Sequence, residues 1–290
     1  MHATRGAADA GRVFVLVCVG AAMTMPRIMI RNLMRVLVAV AVLTPAWSAQ
    51  TPVYKGKYAK DPAFVKILKS LPERKTAAIS VVKRKLGLST PSAATIEIVV
   101  QDAIEEKPLK LAMFTAAPFQ TETIVPVEKR VRIVLHAEFL VSMRYALATE
   151  VNHEMVHAVM RQLMTEEAYK KLPKWFIEGV AVFAAGQIED KLLHSLMSAR
   201  AFDDPGPLIM GFDQGKFALE RYGEAGAAIE FLWQAKGDAA LHSLMAEIVR
   251  GRELDTVLRE IYGLELLDFY TRARAATAQH ANNIKPLHWN

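Results

Sequence analysis

His153 and His157 stand four residues apart, with Glu154 directly after the first. On a helix, four residues bring a side chain about 40° round and one turn up the same face. Two imidazoles placed this way can hold one tetrahedral divalent ion. Glu154 is rotated by about 100° from His153, which lets its carboxylate reach a water on the open side of that ion. The surrounding segment, Val151 to Met164, is apolar nearly all round, the pattern of a buried helix. Unpaired polar or charged groups in such a place are costly, and a bound Zn²⁺ would supply the missing partner.

A zinc site of this type needs a third protein ligand. The run Trp175-Phe176-Ile177-Glu178-Gly179-Val180-Ala181-Val182-Phe183 offers Glu178, a lone carboxylate with no polar face to share. Gly179 beside it is costly inside a helix. A glycine there predicts a close backbone, and the helix carrying the two histidines is the expected neighbour. Glu178 follows His157 at a distance that leaves room for a turn and a second helix.

His153-Glu154-Met155-Val156-His157, followed by Pro173-Lys174-Trp175-Phe176-Ile177-Glu178-Gly179-Val180-Ala181, resembles the gluzincin metallopeptidases, specifically the peptidase MA-like family. The resemblance spans about residues 95–275 and is specific at 153–157 and 173–181. It implies that His153, His157 and Glu178 bind zinc and that Glu154 activates the attacking water. It also implies that a tyrosine opening a downstream helix, here Tyr222, donates to the oxyanion; packing at a helix start is the competing role for that ring. One position departs from thermolysin-type gluzincins, which carry an acidic residue four places after the ligand glutamate, where this chain has Val182. The partner that orients either histidine is therefore not given by the motif. His136, His194, His242, His280 and His288 read as ordinary core, surface or tail residues, and Arg221 as a surface arginine. No Gly-x-Ser-x-Gly element or phosphate-binding glycine loop is present, which removes support for serine hydrolase and nucleotide-binding readings.

The elements that must position these residues can be read in outline. Residues 49–60 form a polar lead-in, and residues 62–86 a helix with a break near Pro72. Ser89-Thr90-Pro91-Ser92 is a turn or linker. Three strand-like runs follow at 95–100, 109–114 and 131–136. From about Ser142 the pattern is helical to the end, with an irregular break near Asp203-Asp204-Pro205-Gly206-Pro207, and residues beyond about 280 form a loose tail. Strands first and helices after predict an α+β fold, not alternating βαβ. With the resemblance, the expected fold is zincin-like: a small mixed β-sheet, then a mostly helical C-terminal half carrying the active-site helix.

Two apolar runs, 13–22 and 36–43, precede all of this, and each is too short to span a bilayer. The second follows Arg27, Arg31 and Arg35 and ends at Ala46, Ser48 and Ala49, the layout of a secretory signal peptide. Cleavage after Ser48 puts small residues at −1 and −3, whereas cleavage after Ala49 puts Trp47 at −3. Residues 1–24 read as an over-extended start ahead of Met25, Met29 or Met34; the rival reading is an uncleaved anchor, the chain's one route to a membrane. The expected division is a signal peptide at 1–48 and a peptidase domain at 49–290. Residues 1–48 hold five arginines and one aspartate, +4 of the chain's +6, so the mature part is only +2. The sequence pI of about 9.3 thus gives no argument for a nucleic-acid partner. The single cysteine, Cys18, lies in the same segment, so the mature chain has no thiolate and must hold any metal with histidine and carboxylate. Together these readings predict an exported, periplasmic or extracellular zinc peptidase acting on a peptide or protein, with oligomeric state open. The alternative is a catalytically inactive zincin-fold module that binds metal or peptide in the cell envelope.

Overall fold

The computed structural model describes residues 51–102, 119–125, 129–142, 146–198 and 221–283. All of them belong to one compact unit, Ala49–Asn290. The N-terminal apolar runs, the strand expected at 109–114, the break at 203–207 and His288 lie outside the described residues. No described helix is long and apolar enough to cross a membrane.

Helix α1 (Pro62–Leu86) starts where Asp61 accepts from the backbone N–H groups of Ala63 and Phe64, with Pro62 in the first turn, a position where proline's missing N–H is harmless. It ends at Gly87, whose φ of 68° is left-handed, after Lys83, Arg84 and Lys85, which suit the negative helix end. The break expected at Pro72 does not occur, and the helix runs through it. Proline removes one ladder bond, but Leu68 and Leu71 before it and Ala78 and Val82 after it are all buried. That shared apolar face holds both halves against the core. Tyr54 and Tyr58 of the lead-in pack on Phe64 at ring distances of 4.8 and 5.6 Å.

Three strands form a mixed sheet in the order β1-β3-β2. Strand β1 (Ile96–Gln101) alternates buried and exposed residues and runs parallel to β3 (Arg130–His136), with Ile98 opposite Ile133. Strand β2 (Phe119–Val125) pairs antiparallel with β3, with an irregularity between Thr123 and Val125. It was not among the expected strands. Central β3 ends in four consecutive buried residues, Ile133 to His136, as a strand covered on both faces should.

Helix α2 (Ala137–Ser142) follows, then α3 (Leu147–Leu163), the helix of the two histidines. It packs on α1 and on β2 and β3, and is buried from His153 to Met160 without a gap. Its C-terminal end is tied to the 89–95 linker by Gln162, whose Nε2 donates to Ser92 O (3.1 Å) and Thr95 Oγ1 (2.6 Å). Short α4 (Glu166–Lys171) leads to α5 (Lys174–Ala185), which carries Glu178 and packs on α3 and most extensively on α7. After α6 (Ile188–Ser198) come α7 (Tyr222–Val249), broken at Gly237 by a φ of 74°, then α8 (Leu254–Tyr262) and α9 (Leu266–Asn283). Trp175 anchors α5 to α9: it is fully buried, stacks on Phe269 at 5.4 Å and donates to Tyr270 Oη at 3.0 Å. His280, expected in a loose tail, is instead part of α9 and pairs with Glu230 of α7 at 3.1 Å. The architecture is α+β and zincin-like, a small mixed sheet followed by helices.

Gly179 marks a close backbone, but of a different helix from the one expected. A Cβ on Gly179 would lie 2.4 Å from the carbonyl oxygen of Ala225 in α7, not against α3. On the other side of the same crossing, a Cβ on Gly226 would lie 2.4 Å from Val182 Cγ1. The two glycines let α5 and α7 touch.

Candidate metal centre

Helix α3 projects His153 and His157 from successive turns of one face, their rings 4.9 Å apart and nearly perpendicular. Helix α5 brings Glu178 to meet them. The two Nε2 atoms are 3.1 Å apart, and Glu178 Oε2 is 3.3 Å from the first and 3.4 Å from the second. Donors on a tetrahedral ion with bonds of about 2.0–2.1 Å stand about 3.3 Å from one another. The triangle therefore has the size of one face of such a coordination shell. It is the sole His, Cys, Asp and Glu cluster of this kind among the described residues.

The electrostatics favour a cation. Burial opposes charge on Glu178, yet the charge and hydrogen bonds of His157 and His153 hold its pKa well below the ordinary carboxylate range. Burial alone would lower the pKa of His153, but the hydrogen bond and charge of Glu178, with the charges of Glu154 and Glu150, raise it. These shifts favour positive charge at the cluster, and the donor set of two imidazoles and a carboxylate is the kind that binds a divalent ion.

Each histidine is held from behind. His153 Nδ1 lies 2.9 Å from Gln187 Oε1, and Gln187 Nε2 donates to Glu150 Oε1 at 2.8 Å. Lys191 Nζ reaches the same carboxylate oxygen at 3.4 Å. His157 Nδ1 lies 3.3 Å from the Tyr169 hydroxyl. The Arg161 guanidinium covers the Tyr169 ring at 4.3 Å, and burial pushes the Tyr169 phenol up. Gln187 follows Gly186, the left-handed residue that ends α5. That turn carries the chain back toward α3.

Glu154 is buried beside the triangle. Thr121 Oγ1, on strand β2, donates to its Oε2 at 2.6 Å and lies 3.2 Å from its carbonyl oxygen. Tyr222, the first residue of α7, stacks its ring on His153 at 6.1 Å. Burial, followed by the charges of Glu178 and Glu154 and a hydrogen bond to Glu178, raises its phenol pKa, so the hydroxyl stays protonated. The structure thus gathers all five residues singled out in the sequence, from α3, α5 and α7. The sequence reading missed Gln187, Glu150, Tyr169 and Thr121. Of these only Glu150 left a signal, a lone acid one turn before His153 in an apolar helix. Of the other histidines, His136 is buried in β3 and His242 Nε2 lies 3.2 Å from the carbonyl oxygen of Arg84; neither belongs to the cluster.

No curated protein and no solved structure matches this chain. Residues 141–278 match the family model described as the Peptidase MA superfamily. The match begins in α2 and runs into α9, so it takes in every helix that supplies the cluster and leaves out the sheet, which the sequence resemblance had included. Over residues 141–278, the chain is similar to the Peptidase MA superfamily.

Proposed function

We propose that the protein is an exported zinc metallopeptidase in which His153, His157 and Glu178 hold the ion and Glu154 is the general base. One observation carries the reading: three donor atoms converge within 3.1–3.4 Å of one another, beside a buried carboxylate that is not one of them. A bound zinc ion would supply a lowered pKa for water and polarisation of the scissile carbonyl. The Glu154 carboxylate takes the proton of the attacking water and returns it to the departing amine nitrogen. Thr121 holds one oxygen of that carboxylate in place from the sheet. The Tyr222 hydroxyl, protonated at working pH, donates to the oxygen on which negative charge develops. Residues 1–48 are assigned as a signal peptide, which would deliver the enzyme to the periplasm or the exterior to act on peptides or proteins.

Metal removal tests this reading. The purified protein should contain about one zinc per chain and hydrolyse an unstructured protein such as casein. A strong chelator should abolish hydrolysis, and added zinc should restore it. Activity that survives removal of all metal would sink the proposal. A zinc-loaded protein with no hydrolysis would favour the inactive binding module.

A further inference from the structure

We infer that Gln187 and Glu150 are positioning residues that fix the ring orientation and tautomer of His153, so that its Nε2 lone pair faces the metal; this rests on the metal-site reading above. Both side chains lie in the protein interior, Gln187 at 2% exposure and Glu150 at 7%. Their short hydrogen bonds form a single line from His153 Nδ1 through the Gln187 amide to Glu150, with Lys191 at the outer, half-exposed end.

The chemistry of that line allows one polarity. An ionised carboxylate only accepts hydrogen bonds, so the group facing Glu150 must be the amide NH₂. The Gln187 carbonyl oxygen then faces the imidazole, and it too can only accept. His153 must therefore carry its proton on Nδ1, which in the neutral ring leaves Nε2 as a bare lone pair. Val182, at the position where an acidic orienting residue would be expected, is apolar and buried. Here the orienting carboxylate stands one link further out, with a neutral amide between it and the ring. The same three residues explain why a buried glutamine is tolerated: each of its polar ends meets a partner of opposite character.

A structural role and an orienting role make different demands on the variants. Gln187→Leu keeps the volume and removes the acceptor. Gln187→Glu supplies an acceptor to the ring but sets a second carboxylate against Glu150. The double variant Gln187→Glu/Glu150→Gln moves the carboxylate next to the ring and restores a donor–acceptor pair at every link, with net charge unchanged. The experiment measures the zinc dissociation constant of each purified protein by chelator competition at one fixed pH. Thermal unfolding of the metal-free forms runs alongside. Loss of an outer partner of a metal-binding histidine costs about 10–100-fold in metal affinity. Gln187→Leu and Gln187→Glu should both weaken zinc binding by that order, and the double variant should return to near the wild-type value. If Gln187→Leu does not fold, the comparison of Gln187→Glu with the double variant decides. Equal zinc affinity in wild type, Gln187→Glu and the double variant would overturn the inference, as would a double variant that folds like wild type and binds no better than the single one. A wild-type protein that takes up no zinc would overturn the metal-site reading itself, a result distinct from zinc uptake that ignores these changes.

Discussion

Glu154 and Glu178 are the same side chain, and the opposite roles proposed for them follow from their neighbours. Glu178 meets two imidazole nitrogens, whereas Glu154 meets a hydroxyl from the sheet. The sequence singled out both because His153, Glu154 and His157 follow helical spacing and Glu178 stands as a lone carboxylate in an apolar run. Gln187 and Thr121 carried no such mark. Gln187 reaches His153 only because α5 ends at a left-handed glycine, and Thr121 matters only because β2 lies against α3. Thr121 makes a testable contribution of its own. Replacing it with valine keeps the shape and deletes the donor to Glu154. A hydrogen bond to a charged group is worth about 1.5 kcal/mol, so Thr121→Val should lower kcat about tenfold with zinc content and KM little changed. Thr121→Ser should restore the rate. Equal rates in all three proteins would show that the hydroxyl does not position the base.

At the scale of elements, local patterns set the helices and long-range packing set their neighbours. The α1 and α3 segments were legible from apolar spacing. The uninterrupted path through Pro72 was not, because it depends on the common surface that both halves of α1 cover. The cost of Gly179 pointed to a close backbone, but which helix came close was settled by Gly226 on α7, out of reach of a local reading. Strand β2 was missed because four consecutive polar residues, Gln120 to Thr123, interrupt any apolar alternation in its segment. The α7–α9 region also stores a pH response. Glu224 of α7 is buried, its Oε2 has no hydrogen-bond partner among the described residues, and Arg221 Nη1 is 4.0 Å away. Burial raises its pKa to about 8 from an ordinary 4.5, against the lowering effects of Arg221 and Arg274. The folded state therefore keeps a proton that the unfolded chain has lost above about pH 4.5. Stability tied to this group is present below that pH and falls as pH rises toward about 8. Glu224→Gln should flatten the decline in melting temperature between pH 5 and pH 8.5 and stabilise the protein at the upper end, by on the order of 1 kcal/mol or more. A variant with the same pH profile as wild type would show that Glu224 ionises freely in the fold.

At the scale of the whole molecule, the sequence divides into a basic, apolar N-terminal segment, residues 1–48, and a nearly neutral remainder. The proposed signal has a direct test: the N-terminus of exported protein should be Ala49 or Gln50, and a mature chain that still begins before Val36 would mean an uncleaved anchor. The order of strands and helices gave the α+β class, since no alternation of strand and helix was present to build a parallel α/β sheet. The order within the sheet, with β3 between β1 and β2, depends on pairing between distant segments and was not legible. What the fold achieves is convergence: α3 offers two imidazoles, α5 a carboxylate, α7 a phenol, and the sheet a hydroxyl on Glu154. The central claim is that this convergence is a peptidase site in which Glu154 moves protons and Glu178 holds metal. The measurement that tests it most directly is zinc content and casein hydrolysis for wild type, Glu154→Gln and Glu178→Ala side by side. Glu154→Gln should keep its zinc and lose about 10²–10⁴ in rate, and Glu178→Ala should lose zinc and activity together. Wild-type turnover by Glu154→Gln, or full zinc occupancy in Glu178→Ala, would contradict the account.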